Sequence, residues 1–330
     1  MNNPSRVYIQ DVAVRDGFQI EPQFIPTDRK IALIDALSQT GLAKIEVTSF
    51  TSPKAIPALA DAEQVMAGIN RIVGVEYTVL VPNMRGAERA LGCNADEFNL
   101  VMSVSETHNL TNLRMTREQS FSQLAEVINF SRSSGVTLNV SLSCSFGCPM
   151  EGDVPSQVLF EWVNRFIALG VHGITLCDTT GMAYPTQVRD ICRQFKQRWR
   201  DTTLTVHFHN TRGMGLANAM SAIEVGVDRF DASLGGLGGC PYAPGATGNI
   251  CTEDLTQMLG LMGYDTHVNL DKLIQCARQL PELLGHDVPS QTAKAGKISD
   301  LHPVPEWFAE ISERANAKVA KNAAHSAIGN

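Results

Sequence analysis

From residue 7 to about residue 262 the chain alternates, eight times over, between a short apolar run and a longer stretch of helical period. The runs lie at 7–13, 44–50, 75–81, 97–104, 136–143, 173–177, 204–209 and 229–234, and most are dominated by Val, Ile, Leu and Thr, as strands are. Helical patterns fill 27–39, 61–70, 85–92, 116–133, 156–169, 185–198 and 213–225. Several open on capping signals, such as Thr116-Arg-Glu-Gln-Ser and Pro155-Ser156. Eight strands each followed by a helix is the count of a TIM (β/α)8 barrel, an α/β fold of about 250 residues. A doubly wound sheet is the competitor, but it usually carries a Gly-rich phosphate turn after its first strand, and none stands there. We therefore expect a single domain over 1–330: a barrel at 7–265, then a C-terminal helical extension at 266–330. The extension has helical patterns at 270–284 and 305–324.

Composition narrows the function classes. Hydrophobic residues make up 44% and charged residues 18%, enough apolar material for a large core. The formal net charge is −7 with no Lys/Arg block, which argues against a nucleic acid or an anionic membrane as partner. No apolar run approaches the roughly 18 residues of a spanning helix. The opening Met-Asn-Asn-Pro-Ser-Arg has neither a secretory core nor transit-peptide character. Eight cysteines scattered over the chain do not form a disulfide framework, so the expected setting is cytoplasmic and reducing.

A barrel of this kind places its active site at the C-terminal ends of its strands, and polar residues gather there in run after run. The first ends in Arg15-Asp16-Gly17-Phe18-Gln19, the second carries Glu46, and the fifth ends in Ser143-Cys144-Ser145-Phe146-Gly147-Cys148. The sixth ends in Cys177-Asp178-Thr179-Thr180-Gly181 and the seventh in His207-Phe208-His209-Asn210. Alternate strand residues share a face, so His207 and His209 can both point into the barrel mouth, where a metal site is the sharper reading than a buried core histidine. Asp16 adds a carboxylate and Asn249 an amide oxygen. Such a mixed N/O set suits Mg²⁺ or Mn²⁺, with Zn²⁺ or Co²⁺ also able to bind. Arg15 is a fixed cation suited to an oxyanion, unless it merely pairs with Asp16 on the surface. Glu46 is a catalytic candidate or the structural partner of an arginine; Asp178 acts at the site or caps the next helix. Cys240 lies in the stretch Gly235-Gly-Leu-Gly-Gly-Cys-Pro, which reads as an active-site lid around a proton-handling thiol or an incidental small residue. Cys144 and Cys148 lack a second Cys/His pair and make no zinc signature.

Taken together, these segments resemble the 3-hydroxy-3-methylglutaryl-CoA (HMG-CoA) lyase family of metal-dependent TIM-barrel lyases and synthases. The resemblance rests on Val-Arg15-Asp16-Gly-Phe-Gln19, Ile45-Glu46-Val-Thr-Ser-Phe, Ser-Cys144-Ser-Phe-Gly-Cys148-Pro, Asp178-Thr-Thr-Gly181, His207-Phe-His209-Asn210 and Gly236-Leu-Gly-Gly-Cys240-Pro-Tyr. It implies a divalent cation held by Asp16, His207, His209 and Asn249, with Arg15 near the thioester carbonyl, Gln19 as a further substrate contact, and Cys240 closing over the site. Glu46, Asp178 and His207 complete the catalytic candidates. The implied reaction is a retro-Claisen cleavage of a small-molecule CoA thioester by a homo-oligomer, HMG-CoA giving acetyl-CoA and acetoacetate.

Two rival readings are a Claisen-type synthase, which the Cys240 loop and Phe18 disfavour, and a non-enzymatic barrel scaffold, which the metal-ligand candidates disfavour. Cys240 separates the first from a lyase. Serine is close to cysteine in shape but far less acidic than a thiol of pKa ~8.5. Cys240→Ser is expected to fold and bind metal normally yet turn over at least about tenfold more slowly, roughly 1.4 kcal/mol of barrier. Thiol alkylation should inactivate the wild type, and a bound substrate analogue should protect it; wild-type rates in the serine variant would reduce Cys240 to packing.

Overall fold

The computed structural model describes residues 6–239 and 248–328, with backbone only for 322–328. Eight parallel strands follow one another around a closed barrel in chain order. They are β1 (Tyr8–Asp11), β2 (Lys44–Ser49), β3 (Glu76–Leu80), β4 (Glu97–Ser103), β5 (Thr137–Ser143), β6 (Gly173–Asp178), β7 (Thr203–Phe208) and β8 (Arg229–Ala232). Closure is made by β1 against β8, in register from Tyr8↔Arg229 to Asp11↔Ala232. The connecting helices are α1 (Thr27–Ser38), α2 (Ala62–Gly68), α3 (Met84–Leu91), α4 (Glu106–Leu113), α5 (Arg117–Ser131), α6 (Ser156–Ala168), α7 (Pro185–Arg198), α8 (Gly215–Ile223) and α9 (Thr252–Leu261). Beyond them lie α10 (Leu270–Leu284) and α11 (Gln291–Ala295). The expected TIM barrel with additional C-terminal helices is the fold observed.

By contacts the chain divides into two units, Met1–Ala295 and Gly296–Asn330. The second carries α12 (Phe308–Ile328), whose Phe308, Ile311 and Val319 are exposed and whose Arg314 pairs with Glu310 one turn earlier.

Three helices escape the sequence reading, among them the five-residue α11. Helix α4 is only eight residues long and rich in Thr and Asn, so it shows no apolar stripe; Ser105 caps it by accepting the His108 N–H. Helix α9 follows the barrel's last strand without a side-chain cap.

Strand residues alternate strictly between two environments. One set is apolar and packs in the main hydrophobic core: Ile45 and Val47, Phe98 and Leu100, Leu138 and Val140, Ile174 and Leu176, Leu204 and Val206. The other set is polar and meets across the barrel interior. Lys44 Nζ reaches Glu97 Oε1 at 2.5 Å, Asn99 Nδ2 reaches Glu46 Oε1 at 2.8 Å, and Asn139 Nδ2 reaches Thr175 Oγ1 at 2.9 Å. These side chains, with Gln10 and Asp231, leave a void of only about 10 Å³. Each buried charge is thus met by a partner, as burial requires.

The first strand stops earlier than its apolar run. After Asp11 the chain enters a π-helical turn, Ala13–Gly17, in which the Gly17 and Asp16 amides both bond the Val12 carbonyl, at 3.4 and 2.7 Å. Asp11 starts this turn. Its Oδ1 accepts the Ala13 N–H at 2.9 Å, and its Oδ2 accepts the Thr252 hydroxyl of α9 at 2.6 Å. Burial outweighs these bonds and pushes the Asp11 carboxyl from 3.8 up to about 6. The folded state therefore holds this proton more tightly than the unfolded chain. The contribution is fully present below the unfolded value near 3.8 and is lost as pH rises through about 6. Against the non-ionising Asp11→Asn variant, wild-type unfolding free energy should fall by about 2 kcal/mol between pH 4 and pH 7. Denaturant titrations at several pH values check this, and a pH-independent difference would refute it.

Candidate active site

The π-turn after β1 and the end of β7 deliver the central cluster. One ligand atom each from Asp16, His207 and His209 lie within 4.8 Å of one another, and all three residues are buried. The two-residue spacing on β7 turns both imidazoles inward, with ring centroids 5.1 Å apart and the two Nε2 atoms at 3.1 Å. Asn249 faces His209 across an isolated antiparallel bridge. Its Nδ2 donates to Asp16 Oδ2 at 2.7 Å and to the Leu237 carbonyl at 2.9 Å, which leaves Oδ1 buried and without a hydrogen-bond partner. Two facing imidazole nitrogens, a carboxylate and an orphaned amide oxygen are donors in want of a common acceptor. That set fits a divalent cation with hard-oxygen and imidazole preferences, Mg²⁺ or Mn²⁺.

Behind the cluster stands a carboxylate that sequence reasoning missed. Asp231 pairs in register with His207 across β7 and β8, and its Oδ2 lies 3.3 Å from His207 Nδ1. A carboxylate on the far ring nitrogen orients the imidazole and raises its basicity. Burial works against a charge on His207, but Asp231 and then Asp16 outweigh it and lift its pKa. His209 has no such support; burial, then His207, press it down to about 3. Burial also opposes the charge on Asp16, yet Arg15 and the two histidines hold it below the ordinary range.

Arg15 bridges this cluster and the barrel interior. Its Nε donates to Glu46 Oε2 at 2.5 Å and its Nη1 to Asp16 Oδ1 at 2.8 Å. Desolvation opposes its charge, but Glu46 and Asp16 more than restore it. Glu46 is thus the partner of an arginine, and that arginine is Arg15 itself. Arg15, Asp16, His207 and His209 open onto a cavity of about 660 Å³, with half-buried Gln19 on its wall. Asp178 plays a different part. Its Oδ1 accepts the Met182 and Ala183 amides at 2.7 and 3.1 Å, shaping the loop before α7, and it does not line the cavity. Burial pushes its carboxyl up to about 6.

Cys240 lies outside the described residues. The segment just before it explains one glycine: Gly238 has φ +105°, and a Cβ there would come within 2.6 Å of Asn249 Nδ2 and 2.9 Å of Asp16 Oδ2. The backbone at 238 lies directly against two of the candidate ligands, which only glycine allows.

Known proteins share this arrangement of chain. A family model described as HMGL-like matches residues 6–280. The hydroxymethylglutaryl-CoA lyase YngG of Bacillus subtilis is 43% identical over 299 residues, 91% of this chain and all of that relative. The human mitochondrial hydroxymethylglutaryl-CoA lyase is 38% identical over 292 residues, 88% of this chain and 90% of its own. Among solved structures, an HMG-CoA lyase from Acinetobacter baumannii in complex with coenzyme A and 3-methylmalate is 52% identical, with a TM-score of 0.87 over 91% of this chain and 98% of that one. The Bacillus subtilis HMG-CoA lyase structure has a TM-score of 0.86 at 43% identity, over 89% and 99%. The chain belongs to the HMGL-like family, and within it to the HMG-CoA lyases.

Proposed function

We propose that this chain cleaves HMG-CoA, or a close 3-hydroxy-3-substituted glutaryl-CoA, to acetyl-CoA and acetoacetate or the corresponding 3-oxo acid. The observation that carries the reading is the buried Asp16–His207–His209 cluster with the Arg15 guanidinium hydrogen-bonded to its carboxylate. The coenzyme A held by the Acinetobacter baumannii relative supports a CoA thioester as substrate.

The cleavage removes the proton of a tertiary alcohol, breaks the C2–C3 bond as C3 becomes a ketone, and leaves an enolate on the thioester that is protonated at C2. Asp16, His207, His209 and Asn249 would hold a divalent cation, which would supply Lewis acidity toward the substrate's hydroxyl. Asp16 is the candidate base for the hydroxyl proton, while His207, with Asp231 on its far nitrogen, is held in place as a ligand. Arg15 has two of its five N–H donors engaged by Glu46 and Asp16, and Nη2 has no hydrogen-bond partner among the described residues. That edge is left to donate to the developing enolate oxygen from the cavity wall. On the family resemblance, Cys240, or a water that it orders, returns a proton to the acetyl carbon. Gln19 touches the substrate from the cavity wall, and Asp178 acts by holding the loop after β6.

Among the described residues no helix is long and apolar enough to cross a membrane. The free cysteines support a cytoplasmic setting, which cell fractionation tests. A homo-oligomer rests on the family resemblance, and light scattering tests it.

The direct experiment incubates the protein with a panel of CoA thioesters, with Mg²⁺ or Mn²⁺ and with a chelator, and identifies products by mass. HMG-CoA or a near analogue should yield acetyl-CoA only when metal is present. Condensation of an acyl-CoA with a 2-oxo acid, without cleavage, would overturn the reading. Removing an imidazole takes away a ligand, so His207→Ala and His209→Ala should each lose metal affinity by at least about a hundredfold, and turnover with it. Titration calorimetry measures the first, and either variant keeping full affinity would dissolve the site. Lysine cannot reproduce a guanidinium fork held at two edges. Arg15→Lys should lower kcat at least about tenfold with metal affinity and fold intact; an unchanged kcat would remove Arg15 from the chemistry.

A further inference from the structure

Arg15 sits on a turn outside the barrel, and its guanidinium has to be aimed from somewhere rigid. Glu46 holds its Nε, but Glu46 is itself a flexible side chain, buried in the barrel interior. Its second oxygen is occupied: Oε1 accepts from Asn99 Nδ2 at 2.8 Å. Turning the Asn99 amide over would set its oxygen against the Glu46 carboxylate, so its Oδ1 lies on the opposite side. It accepts the Ser141 hydroxyl at 2.7 Å and Asn139 Nδ2 at 3.1 Å, and Asn139 also donates to Thr175 Oγ1 at 2.9 Å. All of these side chains are buried. One chain of hydrogen bonds therefore runs from β6 through β5, β4 and β2 to Arg15.

Its polarity is set at Glu46, whose carboxylate only accepts: Oε2 takes the Arg15 Nε–H and Oε1 takes the Asn99 amide, so Asn99 Oδ1 faces the Ser141 hydroxyl and the Asn139 amide, which donate to it. We infer that Asn99 is a positioning residue for the reaction proposed above, setting the direction of Arg15 through Glu46. Without the Asn99 amide, Glu46 Oε1 would be a buried carboxylate oxygen with no donor. Glu46 would then rotate toward water in the adjoining cavity, and the Nε anchor of Arg15 would go with it. Asn99 also lines that cavity. A direct substrate contact would have a different signature, since it would not depend on what stands at position 15.

The inference rests on the lyase reading, which wild-type turnover of HMG-CoA or its near analogue establishes first and independently. Three variants then test it: Asn99→Ala, Ser141→Ala and Arg15→Lys, together with the Asn99→Ala/Arg15→Lys pair. Asn99→Ala should lower kcat about tenfold with KM and metal affinity within about twofold of wild type. Ser141→Ala removes a hydroxyl that donates to the Asn99 oxygen, though Ser141, like Asn99, also lines the cavity. It should lower kcat about threefold at an unchanged melting temperature, and that loss too should vanish in the Arg15→Lys background, which keeps the test valid if Asn99→Ala folds poorly. In the Arg15→Lys background, Asn99→Ala should cost less than about twofold, because its target is already gone. Additive losses in the double variant would mean that Asn99 acts on the substrate itself, and an unchanged kcat in both Asn99→Ala and Ser141→Ala would mean that it acts on nothing in the reaction. Either result overturns the inference.

Discussion

Closing eight strands into a ring confines every second side chain of each strand to one narrow interior, open to water only toward the cavity at its upper end. In this barrel that interior is filled largely by charges and amides. Lys44 lies between Glu97 and Glu76, and Glu46 between Arg15 and Asn99. Apolar filling tolerates small adjustments of volume and angle. A buried charged network does not, because each partner displaced leaves another uncompensated, at a penalty of about 3–5 kcal/mol when one member of a buried pair is removed. The barrel is thus a rigid reference frame for whatever is attached to its upper rim.

The charge arrangement at that rim is unbalanced in a specific sense. Asp16, Glu46 and Asp231 bring three carboxylates to the site, against the single guanidinium of Arg15. The elevated proton affinity of His207 and the affinity of the cluster for a doubly charged cation are two responses to the same excess of negative charge. A cation bound by the imidazoles needs them deprotonated, so metal and proton compete for one place. The asymmetry between the rings follows from their neighbours: His207 has Asp231 behind it, and His209 has no carboxylate on its outer nitrogen.

Much of this was legible in the sequence. Eight strand-like runs identified the barrel, and the spacing of His207 and His209 pointed to the two residues that meet Asp16 in one buried cluster. The interior was written there too, as the alternation Glu97-Phe98-Asn99-Leu100 and Asn139-Val140-Ser141-Leu142. What the chain could not disclose is register. Asp231 is an acidic residue in a short strand until its alignment with His207 across the β7–β8 pair gives it a partner. Asn99 gains its meaning only from Glu46 two strands away. Asp178 was ambiguous for a similar reason, since a carboxylate at a strand end serves a loop or a substrate according to backbone geometry that residue type does not encode. Strand β1 ended two residues early because Asp11 bonds the backbone ahead of it, a local competition that apolar periodicity does not register.

The π-turn at Ala13–Gly17 carries one further implication. Consecutive residues on a regular helix diverge by about 100°, yet Arg15 and Asp16 both line the one cavity, joined by their own ion pair. The widened turn makes this possible by holding one residue more than an α-helical turn would. A chain shortened by a single position between Val12 and Phe18 would retain every strand and helix of the barrel while parting the guanidinium from the carboxylate.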